Sequence, residues 1–252
     1  MTTAEHEPLL DPFDYVALAR TFVDFARSVS DGADIVEVYS MLSERCVEVL
    51  AVDACGILLT DLRGELRVIG SSSHSAELLD LFQVQNDVGP CLVCCRTGES
   101  VSDEALSPDG PWPEFAALVR SHGFAAVHAI PLRARDSVFG ALNLFASEPL
   151  SADHLAVARA MADAATVALL QADPAQDAIV ATRRLHVAIE SRNTVDQAIG
   201  IISQRFSLPI DEAIVRLRTT AAEAELGLVE LAVAVVSRNG EEPESLRPAD
   251  LD

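Results

Sequence analysis

The sequence predicts an α+β domain, an antiparallel sheet with flanking helices, followed by an all-α bundle of three helices on a coiled-coil stalk. Three observations carry this reading. Helical periodicity dominates both ends of the chain, strand-like runs with turn signals gather in its first two thirds, and an apolar seam at alternating 3,4 spacing runs for about six turns from Leu185 to Phe206.

Residues 1–12, rich in Glu, Thr and Pro, read as a frayed terminus. Phe13 to about Val29 reads as an amphipathic helix through Tyr15, Val16, Leu18, Ala19, Phe22, Val23 and Ala26, of the kind that packs on a partner or a later helix. Asp31-Gly32 separates it from a second helix, Asp34 to about Leu50. Ala54 to Thr60 and Leu66 to Ser71 form a hairpin around Asp61-Leu62-Arg63-Gly64. A helical piece, Ser75 to Val84, leads into a long irregular stretch from Gln85 to Pro113, punctuated by Gly89-Pro90, Gly98, Pro108, Gly110-Pro111 and Pro113. Loops of that length inside a compact domain line a site or move. Within it, Leu92 to Cys95 reads as strand or helix and Ser100-Val101 as strand. Glu114 to His122 is a helix ended by Gly123, and Ala126 to Leu132 and Phe139 to Phe145 are strands joined by Arg133-Ala134-Arg135-Asp136. Ser151 is the expected N-cap of a helix that runs to about Ala172, and Asp173-Pro174 predicts a kink at the junction.

After the junction, Leu185, Ala188, Val195, Ile199, Ile202 and Phe206 line one side of a long helix, interrupted by Arg192. A seam so narrow predicts a partner helix, hence a homodimer. Ser207-Leu208-Pro209 ends it; Pro209 suits the first turn of the next helix, where Asp211 and Glu212 face the positive end of the dipole. Ala213, Ile214, Leu217 and Ala221 give that helix an apolar stripe, Leu226-Gly227 breaks it, and Leu228, Leu231, Ala232, Val235 and Val236 make a third.

Composition excludes whole classes of chemistry. The 18 cationic residues are all arginine, so no Schiff-base lysine, phosphate-loop lysine or receiver-type Asp/Lys phosphorylation site exists. No apolar run approaches the ~18–20 residues of a membrane span, and Met1 to Asp14 is acidic rather than basic, so a cytoplasmic protein without a signal peptide or a membrane partner is expected. The net charge of −21 is unevenly spread: residues 1–179 hold 10 Arg against 27 acids, residues 180–238 hold 7 against 7, and residues 239–252 hold 1 against 5. The helical module is the least acidic segment, where a local arginine patch is tolerated. Five cysteines, an odd number, argue against a disulfide framework. Neither a Ser-His-Asp spacing, a Gly-rich phosphate loop nor a His-Glu-x-x-His is present, so no catalytic residues and no metal ligands are assigned and the chain is expected not to be an enzyme.

Two stretches resemble known families. Ser191-Arg192-x-x-Val195-x-x-Ala198-x-Gly200-Ile201-Ile202, then Asp211-Glu212-Ala213-x-x-x-Leu217-Arg218, then Leu228-x-x-x-Ala232 resembles the ANTAR domain, an RNA-binding module of bacterial transcription antiterminators. Asn86-x-x-Gly89-Pro90-Cys91, Arg96-Thr97-Gly98-Glu99, Asp103, Trp112-Pro113-x-Phe115, Gly123-x-x-x-Val127-x-x-Ile130-Pro131-Leu132 and Gly140-Ala141-Leu142-Asn143-Leu144 resemble a GAF domain, a PAS-related sensor fold. That order is familiar from actinobacterial regulators. The implied organisation is an N-terminal helix and terminus (1–32), a GAF sensor (33–172), a linker or stalk (173–182), the ANTAR domain (183–238) and an acidic tail (239–252).

The resemblance implies a regulator whose ANTAR bundle, as a homodimer, binds RNA hairpin loops in nascent transcripts, with an unknown small ligand in the GAF pocket. Arg184, Arg192, Arg205, Arg216 and Arg218 are the candidate RNA contacts, because guanidinium forks match phosphate oxygens and stack on unpaired bases. Their alternative is a solvated face paired with Glu190, Asp196, Glu212 and Glu223. The sequence departs from the family at Ile199, where lysine is usual, and at Glu225 and Gly227, often polar or basic.

For the GAF pocket, Cys91, Asp103, Trp112, Phe115, His128 and Asn143 supply an acid, aromatic faces and an amide for a small ligand. Cys91, Cys94 and Cys95 form a possible redox cluster, and no pattern names a cofactor. Two alternatives follow: a GAF-type reductase of free methionine sulfoxide using Cys91 and Cys94, or a regulator whose bundle binds protein.

Overall fold

A computed structural model describes residues 15–61, 63–135, 137–170 and 177–237. The expected frayed terminus, the 173–176 part of the linker and the acidic tail lie outside them. Helix α1 spans Tyr15–Ser30 and packs on α2, Ile35–Leu50, whose N-cap Asp34 accepts a hydrogen bond from the Val36 N–H at 2.8 Å. Strands β1 (Ala54–Thr60) and β2 (Leu66–Ser71) form the expected hairpin. Helix α3 spans His74–Asn86, capped by Ser73.

The stretch expected to be irregular is more ordered than its glycines and prolines suggest. Gly89, at φ 125°, turns the chain into helix α4, Pro90–Thr97, with Pro90 in its first turn, and Gly98 at φ 70° ends it. Strand β3 (Val101–Asp103) follows, then α5 (Pro113–Ser121), β4 (Ala126–Ala134), β5 (Ser137–Ala146) and α6 (Ala152–Leu170).

The strands form one antiparallel sheet in the order β2-β1-β5-β4-β3. Side chains alternate between its faces. Ile57, Leu59, Ile130, Leu132, Leu142 and Leu144 meet α2 and α6, while Leu58, Ala129 and Ala141 meet α4. Tyr39 of α2 donates its hydroxyl to the Ala165 carbonyl of α6 at 2.9 Å, tying the first layer together.

The C-terminal bundle comprises α7 (Asp177–Phe206), α8 (Ile210–Glu223) and α9 (Leu228–Ser237). Ser207 and Glu225, both at positive φ, end α7 and α8. One expectation is corrected here. The α7 seam was assigned to a second copy, yet Ala188, Val195, Ile199 and Ile202 are buried within this chain against α8, α9 and α2. Their apolar cluster is continuous with the sheet's α2 and α6 layer, so this length of α7 lies on the sheet domain and does not project as a stalk. The seam therefore supplies no argument for a homodimer. The side chains of residues 177–186, with Arg184 and Leu185 among them, lie outside the described residues.

Candidate functional site

Helical geometry divides the candidate arginines into two groups. At about 100° per residue, Arg192 and Arg205 point about 220° apart on α7, and Arg216 and Arg218 about 200° apart on α8. No single face holds all four.

Arg192 and Arg218 turn toward the sheet domain. Arg192 is 6% exposed; its Nη2 lies 2.6 Å from Glu77 Oε1 of α3 and its Nε 2.8 Å from Asp196 on its own helix. Burial opposes the charge of this guanidinium, but Glu77 and Asp196 more than compensate and hold its pKa above the ordinary arginine value. Arg218 Nη1 meets Glu44 Oε1 of α2 at 2.5 Å, and its Nη2 donates to the Ser71 carbonyl at 3.0 Å. Burial, the largest effect, holds its pKa below the ordinary value despite Glu44. The paired-face alternative thus describes Arg192 in part, although its main acid comes from the other domain.

Further contacts surround these pairs. Ser191 donates its hydroxyl to Asp34 at 2.8 Å, the His74 N–H donates to Asp211 at 2.9 Å, and the Val229 N–H in the first turn of α9 donates to Glu37 at 3.0 Å. Burial raises the carboxyl pKa of both Glu37 and Glu44. The departures from the family pattern fall here as well. Ile199 is buried beside Arg192 and Arg218, and a Cβ on Gly227 would come within 2.6 Å of Glu37 Oε1.

The other two arginines turn outward. Arg205 is exposed near the end of α7, and the Arg216 guanidinium lies over the Phe206 ring, 3.8 Å from its centroid.

In the sheet domain the six expected pocket residues do not share one pocket. The pairing of Ala129 with Asn143 and of His128 with Leu144 puts His128 and Asn143 on opposite faces. His128 is 1% exposed, its Nδ1 is 2.8 Å from the Ser102 hydroxyl, and burial lowers its pKa, so it is a neutral core histidine near neutral pH. Asp103 accepts the Ala105 and Leu106 N–H groups and shapes a turn. Trp112 and Phe115 fill an apolar cluster under α5 with Leu79, Phe82 and Phe145.

Cys91 and Asn143 also come together, around a residue the sequence reading missed. Asp80 of α3 is wholly buried; Asn143 Nδ2 donates to its Oδ1 at 2.7 Å and Gln83 Nε2 at 3.3 Å. Burial pushes its carboxyl up to about 8, so it is protonated at neutral pH. Gly56 of β1 makes room for it, since a Cβ there would fall on Asp80 Oδ2. The sequence signal was an acid inside Leu78-Leu79-Asp80-Leu81-Phe82.

The cysteines are placed against the redox expectation. Cys91 and Cys94 are free thiols buried in α4, and both sit above their ordinary pKa, Cys91 through a side-chain hydrogen bond with Cys95 together with burial and Cys94 through burial. Attack on a sulfoxide or disulfide needs a thiolate, which this setting disfavours. Among the described residues, no three His, Cys, Asp or Glu side chains are grouped as a metal site needs. A cavity of about 530 Å³ lies instead beside α4 at the hairpin edge of the sheet, bordered by Thr60, Arg67, Asp87, Leu92, Cys95 and Arg96. Among the described residues, Cys95 is the expected site residue that reaches it.

The described residues thus make an antiparallel sheet layered with helices, joined to a three-helix bundle. A GAF domain model matches residues 34–169 and an ANTAR domain model matches residues 183–236. The chain belongs to the GAF domain family and carries an ANTAR domain after it. Its solved structural neighbours include the GAF domain of a phosphoenolpyruvate-protein phosphotransferase from Coxiella burnetii, 15% identical, covering 62% of this chain and 94% of that one with a TM-score of 0.49. Another is a GAF domain/HD domain protein from Geobacter sulfurreducens, 21% identical, covering 56% and 94% with a TM-score of 0.46. A phycoerythrobilin-bound GAF domain from a cyanobacterial phytochrome is 13% identical, covering 67% and 97% with a TM-score of 0.48. No curated protein matches it in sequence. No described helix is long and apolar enough to cross a membrane.

Proposed function

We propose that the chain is a signal-responsive RNA-binding regulator of transcription antitermination, in which the GAF domain receives a small-molecule signal and the α7–α9 bundle binds RNA hairpin loops. The observation that carries this reading is the ANTAR match over residues 183–236, the arginine-bearing and least acidic segment of the chain. Arg205 and Arg216, exposed or stacked at the α7–α8 corner, make the first contacts with phosphates and unpaired bases. The cavity beside Cys95, flanked by Arg67 and Arg96, is where a small polar signal enters.

The test is a filter-binding titration of the full chain with a pool of hairpin RNAs of randomised loop. Saturable binding is expected, with Arg205→Ala and Arg216→Ala together weakening it at least 10-fold and reducing the log–log salt slope by about 1.4, since each lost single-strand phosphate contact removes about 0.7. Binding that these substitutions leave unchanged contradicts the assignment.

A further inference from the structure

The contacts of Arg192 and Arg218 with the sheet domain are not scattered. Glu37 and Glu44 lie on α2 with Met41 between them, at spacings of 4 and 3 residues, so they share one helix face, and Asp34, the N-cap, stands three residues before Glu37. Glu77 of α3 reaches the same bundle from the far side of strand β2. Each acid meets the bundle: Asp34 the Ser191 hydroxyl, Glu37 the Val229 N–H, Glu44 the Arg218 guanidinium and Glu77 the Arg192 guanidinium. Two guanidiniums, a hydroxyl and a helix N-terminal amide are the donor set that nucleic-acid phosphates recruit. The space left between the surfaces is about 10 Å³, lined by Glu77, Arg192, Ile199, Leu217, Arg218 and Leu228, room for about one water. A Cβ on Gly227 would meet the Glu37 carboxylate, which would have to move to admit it.

We propose that the carboxylate row on α2 and α3 is an internal substitute for RNA phosphates: the GAF domain and RNA compete for the face of the bundle that carries Arg192 and Arg218. This rests on the reading of the bundle as an RNA-binding module. In the clamped conformation, of the four described arginines Arg205 and Arg216 lie outside the clamp, and RNA is held weakly. When the bundle leaves α2 and α3, two further guanidiniums reach phosphates. RNA and the clamp exclude each other, so RNA binding itself favours the open arrangement.

Two variants of the full chain test it with the randomised hairpin pool. Glu44→Gln with Glu77→Gln removes the two acids that hold the arginines. Gly227→Ala pushes Glu37 off α9 without touching an arginine or either of those acids. The double variant is expected to bind RNA at least 10-fold more tightly than wild type and Gly227→Ala about 5-fold more tightly, and in the double variant the log–log salt slope is expected to steepen by about 1.4 for two added single-strand phosphate contacts. Hydrogen exchange is expected to rise in α2, α3 and α7–α9 while β1, β4 and β5 keep their protection, which separates release from unfolding. If both variants keep that sheet protection and bind RNA no more tightly than wild type, the clamp is wrong and the RNA-binding reading stands. If neither wild type nor either variant binds RNA, both fall. Adding Arg192→Ala and Arg218→Ala to Gly227→Ala is expected to abolish the gain, and persistence of the gain overturns the role given to these arginines.

Discussion

Replacing Asp80 with asparagine isolates the cost of a buried acid. The side chain is wholly inaccessible, and burial raises its carboxyl from 3.8 to about 8, with the hydrogen bonds from Asn143 and Gln83 acting in the opposite direction. The folded pKa lies above the unfolded one, so the group's stabilising contribution is complete below the unfolded value and is lost as pH rises toward the folded one. At about 1.4 kcal/mol per pKa unit, folding of the wild type loses about 3 kcal/mol at this site between pH 4.5 and pH 7. Asparagine has a similar shape and no proton to take up, so Asp80→Asn should lack that term. Chemical denaturation of both proteins at several pH values gives the difference in unfolding free energy, in which the titration of unchanged groups cancels. The stability of the variant relative to wild type should rise by about 3 kcal/mol over this range. A difference that stays flat with pH would show that Asp80 does not titrate with a raised pKa, and the description of it as a neutral buried acid would be wrong.

Other substitutions probe single contacts. Gly56→Ala places a methyl on the Asp80 carboxyl and should destabilise by about 1–3 kcal/mol, measured by the same denaturation. Arg192→Ala leaves Glu77 without its partner in a largely buried site and should cost about 3–5 kcal/mol, whereas Arg192→Met with Glu77→Leu should cost much less; thermal unfolding of the two variants distinguishes them. Glu37→Ala removes the side-chain acceptor at the start of α9 and should cost about 1 kcal/mol, with increased hydrogen exchange in α9. Iodoacetamide on the native protein should label half-buried Cys95 before Cys91 and Cys94, as peptide mass spectrometry would show.

Much of the fold was legible because its signals are local. The β1–β2 hairpin announces itself by a turn between apolar runs, and the Ser151 cap by its place before a helical period: its hydroxyl accepts the His154 N–H at 3.3 Å. Helix α4 was ambiguous because its eight residues carry too little period to separate helix from strand; Gly89 and Gly98 decided it through backbone angles that composition does not show. The candidate site was less legible. Alternation along β4 and β5 separates His128 from Asn143, but only the register, set by pairing across the sheet, reveals it. The α7 seam was read correctly as apolar and in need of a partner. Which partner covers it is a tertiary question, and the answer was α8, α9 and α2 of the same chain. The acids opposite Arg192 and Arg218 were hidden for a like reason: Glu44 and Glu77 stand more than 100 residues before them.

Ultraviolet crosslinking of the full chain to the hairpin pool, with mass-spectrometric mapping of the adducts, bears most directly on the RNA-binding assignment. Adducts concentrated in α7 and α8, around Arg205, Phe206 and Arg216 in wild type and extending to Arg192 and Arg218 in the Gly227→Ala variant, are the predicted result. Adducts confined to the sheet domain, or none above a competitor control in either protein, would contradict it.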